Sequence, residues 1–225
     1  KSRDLMFSWA VVGKKTHKAM TIARQEILLQ SQTEEKGYEL ISYAKTLWDQ
    51  MEPWLQRAFP LKDRKRTEDC PKDRLEFQNS SRIMALAQGD TKINSYHPTD
   101  LVQDEAALQS EGGASYGAAL PACQSIVCLS SAFPGWYEDL VEPDYHPLRR
   151  PESFRRPMRG IYVRHTSKGI PVLWLHYEAD PLRDASWVAR ERPNYLYDAD
   201  WEREQNMEFN AGGGELIFAH SLREL

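Results

Sequence analysis

Residues 99–108, TDLVQDEAAL, decide the fold of this chain, because a short apolar run there ends in the acidic pair Asp104 and Glu105. A second apolar run, QSIVCLSSAFPGW at residues 124–136, ends in two serines. Short apolar runs bounded by polar and turn residues predict strands. Ligands of open α/β sheets bind at the carboxyl ends of parallel strands. The two runs therefore predict strands that carry carboxylates and hydroxyls at that edge.

Helical and strand patterns alternate along the rest of the first 140 residues. Helices are predicted at residues 8–20, after an N-cap at Thr33, and at 110–122, and strands at 25–30, 74–77, 81–86, 101–103 and 126–129. Strands 74–77 and 81–86 are close enough to form a hairpin. Alternation of this kind predicts an α/β fold, a mostly parallel sheet with helices on both faces. We place Lys14, Lys15 and Lys18 on the solvent side of the first helix.

The composition excludes several classes of protein. With 41% hydrophobic and 28% charged residues, the 225-residue chain has the composition of a folded protein. No apolar run approaches the ~20 residues that a membrane-spanning helix needs. A net charge of −4 argues against a monomer that coats nucleic acid by bulk charge. The three cysteines, Cys70, Cys123 and Cys128, form no CxxC, so we expect reduced thiols and no zinc site.

The acidic pair has a chemical interpretation and a plain one. At the carboxyl edge of a sheet, Asp104 can hold Mg²⁺ against phosphate oxygens while Glu105 orients a water for in-line attack. Taken alone, an Asp-Glu dipeptide in a highly charged protein is also typical of a solvated surface. Asp100 and Gln103 make this strand more polar than the hydrophobic run that usually precedes a Walker B pair.

The first nine residues, KSRDLMFSW, have the features of a phosphate-binding loop that leads into a helix. Lys1 and Arg3 supply cations, Ser8 supplies a hydroxyl for Mg²⁺, and backbone N–H groups at a helix start favour anions. The usual GxxxxGK[ST] pattern is absent. From spacing alone, a charged N-terminal arm remains an equal alternative. We expect further sequence before Lys1, since the chain begins without an initiator methionine.

Several stretches together resemble the large terminase subunit of tailed phages, which packages DNA into capsids. KSRDLMFSW is similar to that family's variant phosphate loop, residues 80–107 to its path into the Walker B strand, and IVCLSSAFPGWY at 126–137 to its coupling motif. Residues 174–218 resemble the end of its ATPase region. The resemblance implies a RecA-like P-loop (ASCE-type) ATPase core over residues 1–140. It also implies a small linker subdomain over 141–225 that leads toward a nuclease domain.

The resemblance also implies roles for individual residues, with ATP and Mg²⁺ as the cofactors. Catalysis is assigned to Glu105 and Arg3, Mg²⁺ binding to Asp104 and Ser8, and nucleotide binding to Lys1, Ser2, Arg3, Ser8, Ser130 and Ser131. Ala132 completes the coupling motif. Met6 and Phe7 stand where the commoner loop of the family has Gly and Lys. This departure weakens the usual phosphate cradle and leaves Lys1 as the lysine of the loop.

As partners, the resemblance implies double-stranded DNA, the portal protein and the small terminase subunit. It further implies a homo-oligomeric ring that acts in the host cytoplasm at the procapsid portal, with no membrane contact. We expect no nuclease activity from this chain, because the nuclease domain would begin near or after its end. Two alternatives stay open: another P-loop translocase or helicase, and a catalytically silent terminase-like scaffold that binds portal and DNA.

A run of arginines follows the predicted core, beside prolines. Its members are Arg149, Arg150, Arg155, Arg156, Arg159 and Arg164. The plain interpretation is a solvated, flexible connector. The functional interpretation is contact with DNA phosphates or with the ATP of a neighbouring subunit. Residues 159–165 and 171–177 then predict a hairpin, and two short helices are predicted at 184–192 and 198–207.

Overall fold

The structure is a computed structural model that describes residues 5–63, 65–89, 93, 95–142, 144–209 and 211. The chain forms two compact units, one of residues Met6–Ser130 and a second that includes the described residues from Ser131 onward. The helices are α1 Phe7–Thr21, α2 Glu34–Asp49, α3 Pro53–Ala58, α4 Gly112–Ala119, α5 Trp136–Val141, α6 Ala185–Glu191 and α7 Asp198–Glu204. The strands are β1 Glu26–Ser31, β2 Arg74–Glu76, β3 Arg82–Ala87, β4 Asp100–Asp104, β5 Ser125–Leu129, β6 Arg155–Met158, β7 Ile161–His165 and β8 Pro171–Leu175.

The first unit is built on a five-stranded sheet in the order β2-β3-β1-β4-β5. β1 lies parallel to both β3 and β4, and β4 lies parallel to β5. β2 runs antiparallel to β3, because the two form the predicted hairpin. The predicted α/β fold with a mostly parallel sheet is confirmed.

Side-chain alternation along β1 fills two apolar layers, one on each face of the sheet. Ile27 and Leu29 join the layer that also contains buried residues of α1 and α2. Leu28 points to the opposite layer, which includes Ala119 of α4. Successive strand residues face opposite sides, so a strand buried on both faces has a continuous apolar sequence. This accounts for the run Ile27-Leu28-Leu29 and for helices on both faces.

The longest helix begins where its sequence predicts. The Thr33 side chain accepts a hydrogen bond from the Lys36 backbone N–H, and Glu34 and Glu35 occupy the first turn, where they complement the helix dipole. Its buried positions recur at helical spacing and are Gly37, Leu40, Ile41, Ala44 and Trp48. α2 therefore packs its apolar stripe on the sheet.

The second unit contains a three-stranded antiparallel sheet in the order β6-β7-β8. The hairpin β7–β8 was predicted from the sequence, whereas β6 was not. Phe154, Tyr162, Trp174 and Phe209 pack edge to face on one side of this sheet, with ring centroids 6.1–6.3 Å apart. The unit thus has an apolar core of its own.

The interpretation of the arginine run as a flexible connector was wrong for three of its members. Arg155 and Arg156 lie in β6, whose four residues are all exposed. Arg164 is buried, and its guanidinium donates hydrogen bonds to the carbonyl oxygens of Val141 and Glu142. Arginine can supply several fixed donors at once, which explains why a cation is buried at this position.

None of the helices among the described residues is long and apolar enough to cross a bilayer.

Candidate active site

Asp104 is the last residue of β4, at the carboxyl edge of the parallel sheet. The strand beneath it is almost fully buried, including the polar Gln103. The Gln103 side-chain amide donates to Gln30 Oε1 at 2.9 Å and to the Gly112 carbonyl at 3.0 Å. Because these bonds satisfy the amide, a polar residue fits inside a central strand. The polarity of this strand is therefore compatible with a site at its end.

The first turn of α1 brings a hydroxyl to this carboxylate. Ser8 Oγ donates a hydrogen bond to Asp104 Oδ1 at 2.9 Å, although the two residues are 96 positions apart in the chain. The helix begins after Met6, whose backbone is left-handed with φ 53°. The first N–H groups of a helix have no acceptor within the helix and favour anions. The structure thus brings together the two residues predicted to bind Mg²⁺.

Glu105 has a left-handed backbone, with φ 52° and ψ 44°. A non-glycine residue in this region costs about 1–2 kcal/mol, so its surroundings must hold it there. Leu108 N–H donates to the Glu105 carbonyl at 2.9 Å, within a 3₁₀ turn that starts directly after Glu105. Gln109 Nε2 donates to the Asp104 carbonyl at 2.8 Å. These bonds fix the turn that follows the strand, and sequence analysis missed Gln109.

The end of β5 is tied to the same turn. Ser130 Oγ accepts a hydrogen bond from the Ala107 backbone N–H at 3.1 Å. Ser130 is buried at the end of the first unit, directly after β5. Ser131 belongs to the second unit and is also buried. Lys1, Ser2 and Arg3 lie outside the described residues.

Aromatic residues pack near the start of α1. Trp9 stacks on Tyr43, with ring centroids 4.2 Å apart and planes 19° from parallel. Burial raises the pKa of Tyr43 to about 12, helped by its hydrogen bond to Glu39 and by the negative charges of Glu39 and Asp104. The Tyr43 hydroxyl donates to Glu39 Oε1 at 2.7 Å. Tyr43 is therefore protonated at neutral pH.

Ser8 and Asp104 suit Mg²⁺ in their chemistry. Mg²⁺ prefers oxygen ligands, and it usually takes one or two carboxylates and completes its shell with water and substrate phosphates. Among the described residues, no group of three or more His, Cys, Asp and Glu side chains could hold a metal ion by itself. A hydroxyl and a carboxylate at the start of a helix fit a metal that arrives with a nucleotide.

The prediction of a solvent-facing lysine row on α1 was wrong. Lys15 and Lys18 both contact Asp100, at 3.0 Å and 2.8 Å, and Lys15 Nζ also donates to Ser125 Oγ at 3.1 Å. Only Lys14 is exposed. The pattern of α1 could not reveal this, because the buried carboxylate that attracts the lysines lies more than 80 positions away.

Solved structures share this fold. The ATPase domain of the large terminase from Thermus phage P74-26 matches with a TM-score of 0.53 and 13% identity, over 92% of this chain and 86% of that one. The large terminase of a second thermophilic bacteriophage, in complex with ADP, matches with a TM-score of 0.58 and 13% identity, over 92% of this chain and 46% of that one. The Phi-28 gp11 DNA packaging motor matches with a TM-score of 0.52 and 10% identity, over 92% and 63%.

No protein-family model and no curated protein sequence matches the chain. At these identities the matched structures define the fold. The chain therefore has the α/β fold of a phage large terminase ATPase domain.

Proposed function

We propose that this chain is the ATP-hydrolysing motor domain of a viral DNA-packaging machine, which translocates double-stranded DNA into a procapsid. The hydrogen bond between Ser8 Oγ and Asp104 Oδ1 carries the proposal, because it joins the two predicted Mg²⁺ ligands at the carboxyl edge of the sheet. The shared fold supports it, since the large terminase of the second thermophilic phage was solved with ADP and with ATP-gamma-S.

In the proposed site, Ser8 and Asp104 hold the metal and Glu105 orients the attacking water. Bound Mg²⁺ would neutralise charge on the phosphate oxygens. Lys1, Ser2 and Arg3 bind the phosphates, with Arg3 stabilising the charge that develops during transfer. Ser130 and Ser131 respond to the γ-phosphate. The hydrogen bond from Ala107 N–H to Ser130 Oγ gives Ser130 a direct connection to the turn that follows Glu105.

The wider assignment follows from the same proposal. Residues 1–140 form the ATPase core and residues 141–225 a linker subdomain. The chain acts as a homo-oligomeric ring at the portal, in the host cytoplasm, together with the small terminase subunit. It carries no nuclease activity by itself. The alternatives are another P-loop translocase or helicase and a silent scaffold that binds portal and DNA.

The deciding experiment measures Mg²⁺-dependent ATP hydrolysis by the wild-type protein and by Glu105→Gln, with and without double-stranded DNA. We expect the variant to lose ~10²–10³-fold in kcat, because the amide cannot accept a proton from water. Its nucleotide affinity should stay within about twofold, since Glu105 acts on the water rather than on the nucleotide. Glu111→Gln, an exposed carboxylate six residues on, is the matched control and should behave as wild type.

The alternatives give different results. A wild-type protein that binds DNA or portal but hydrolyses no ATP would support the scaffold and end the enzyme proposal. Hydrolysis stimulated by single-stranded rather than double-stranded DNA, or accompanied by strand separation, would support a helicase. Equal rates for wild type and Glu105→Gln would remove Glu105 from the site.

A further inference from the structure

Two sets of polar contacts fasten α1 to β4, one near each end of the strand. At the carboxyl end, Ser8 Oγ lies 2.9 Å from Asp104 Oδ1. At the amino end, Lys15 Nζ lies 3.0 Å from Asp100 Oδ2 and Lys18 Nζ lies 2.8 Å from Asp100 Oδ1. The first residue of the strand and its last thus both contact the same helix. We call the three residues at the amino end, Asp100, Lys15 and Lys18, the remote anchor.

The spacing of these residues matches the geometry of the two elements. Seven residues separate Ser8 from Lys15, which is ~10.5 Å of helix. Four residues separate Asp100 from Asp104, which is ~13 Å of strand. The helix therefore runs opposite to the strand and spans it once. A shift of α1 along its axis that breaks one set of contacts must strain the other.

The remote anchor is far more buried than an ordinary surface ion pair. The Asp100 side chain is 0% exposed, that of Lys15 is 6% exposed and that of Lys18 is 24% exposed. A buried charge without a partner is costly, so these contacts persist in the folded protein. The Ser8–Asp104 contact differs, because its two oxygens must exchange their hydrogen bond for metal coordination in the proposed reaction.

We propose that the remote anchor positions α1 so that Ser8 and Asp104 keep their metal-binding register when their own hydrogen bond opens. Lys15 and Lys18 are three residues apart on one helix face, so two contacts to one carboxylate fix both the height and the rotation of α1. Lys15 Nζ also donates to Ser125 Oγ of β5 at 3.1 Å, which extends the anchor to the next strand. The inference rests on the proposed function. Its members are positioning residues that touch neither nucleotide nor metal.

The test compares Lys15→Met with Lys14→Met, an exposed lysine of the same helix, as the matched control. Lys15→Met leaves Asp100 paired with Lys18, so no carboxylate is left buried alone. We expect the Mg²⁺ concentration for half-maximal ATP hydrolysis to rise about tenfold or more, because small misplacements of reacting groups cost rates of this order. Nucleotide binding in EDTA should stay within about twofold. Lys14→Met should match wild type in both measurements.

A second readout needs neither ATP nor metal. Amide hydrogen exchange across residues 7–13, the first turns of α1, should become about tenfold faster in Lys15→Met, because the helix loses an anchor at its other half. Lys18→Met, which removes the more exposed contact, should give a smaller change of the same kind. Unchanged exchange and unchanged Mg²⁺ half-saturation, with only a lower melting temperature, would reduce the anchor to a stabilising contact and overturn the proposal.

An all-apolar variant covers the case in which the single variant does not fold. Asp100→Leu, Lys15→Met and Lys18→Met together remove every charge of the anchor, and such replacements of buried ion pairs are often tolerated. We expect this variant to fold and to show the raised Mg²⁺ requirement and the faster exchange. Wild-type behaviour in both would overturn the anchor. Absence of hydrolysis in the wild-type protein would instead contradict the proposed function, and the exchange measurement would then still decide whether the anchor fixes α1.

Discussion

At the scale of single residues, the site depends on two side chains that are distant in sequence and adjacent in space. Ser8 is the second residue of a helix, and Asp104 is the last residue of a strand. Each position is chemically specific, because the helix start presents N–H groups and the strand end presents a carboxylate. A hydroxyl and a carboxylate 2.9 Å apart can share a hard cation.

Ser8→Ala tests this pair directly. We expect kcat for ATP hydrolysis to fall about tenfold or more and the Mg²⁺ requirement to rise, because the site loses an oxygen ligand. Ser8→Thr keeps the hydroxyl and should retain most of the activity. Ser42→Ala removes an exposed hydroxyl of α2 and serves as the control. If Ser8→Ala titrates with Mg²⁺ as the wild type does, Ser8 is not a ligand.

At the scale of elements, the sequence predicted the regular parts well and the partner-dependent parts poorly. The helix at α1 and the hairpins β2–β3 and β7–β8 follow from local patterns of polarity and turn residues. β6 escaped prediction, because Arg155, Arg156 and a proline show no apolar alternation. Such a strand exists only through its pairing with β7, which no local pattern encodes.

The candidate site shows the same division. The carboxylates and the Ser8 hydroxyl were found because acidic and hydroxyl residues at element ends are visible in one sequence. The buried partners were missed, since Lys15 and Asp100 become neighbours only when α1 packs on the sheet. The same holds for Gln109, whose amide bonds the Asp104 carbonyl from five positions away. Polar residues with tertiary partners cannot be told from exposed ones by periodicity alone.

The turn before β7 provides a stability prediction for the second sheet. Gly160 has φ +68°, and a Cβ there would lie 2.6 Å from the Glu178 carbonyl carbon and would also collide with the Ala179 backbone nitrogen. We expect Gly160→Ala to lower the free energy of unfolding by at least ~2 kcal/mol, through strain and collision together. Gly169→Ala is the matched control, because Gly169 has φ +77° but open space around it. Urea denaturation should show the larger loss for Gly160→Ala.

The exposed arginines of β6 lead to a prediction about DNA. Arg155 and Arg156 are both on the surface, where cations can contact phosphates. We expect the Arg155→Ala, Arg156→Ala double variant to reduce DNA-stimulated ATP hydrolysis several-fold and to leave the basal rate within about twofold. Arg190→Ala, an exposed arginine of α6, is the control. Equal loss of both rates would place the arginines in the ATPase site rather than on DNA.

At the scale of the whole molecule, two units with separate cores have different sensitivity to acid. The second unit contains His146 and His176, both buried, and burial lowers the pKa of each below its usual value. Each Nδ1 faces a backbone N–H, of Leu148 and Glu178 respectively, so each ring carries its proton on Nε2 and donates it to Asn206. The charge of Glu208 partly offsets the effect on His146.

The stability of the second unit should therefore fall in acid. A lowered folded-state pKa means that the unfolded chain takes up protons first, so the contribution is complete above the unfolded pKa of ~6.5. It is lost as the pH falls below that value, at up to ~1.4 kcal/mol per pH unit for each histidine, until the folded-state pKa is reached. Urea denaturation between pH 7.5 and 5 checks this. His176→Gln should flatten the dependence, whereas the exposed His165→Gln should leave it unchanged.

The stack of Trp9 on Tyr43 gives the protein a built-in optical probe. Trp9 lies one residue after Ser8, in the first turn of α1, and its indole is held at 4.2 Å from a phenol ring. Any nucleotide that moves this turn alters the packing of the indole and hence its emission. The chain has seven tryptophans, so the difference between wild type and Trp9→Phe isolates the signal. Stopped-flow mixing could then time the arrival of nucleotide without any attached dye.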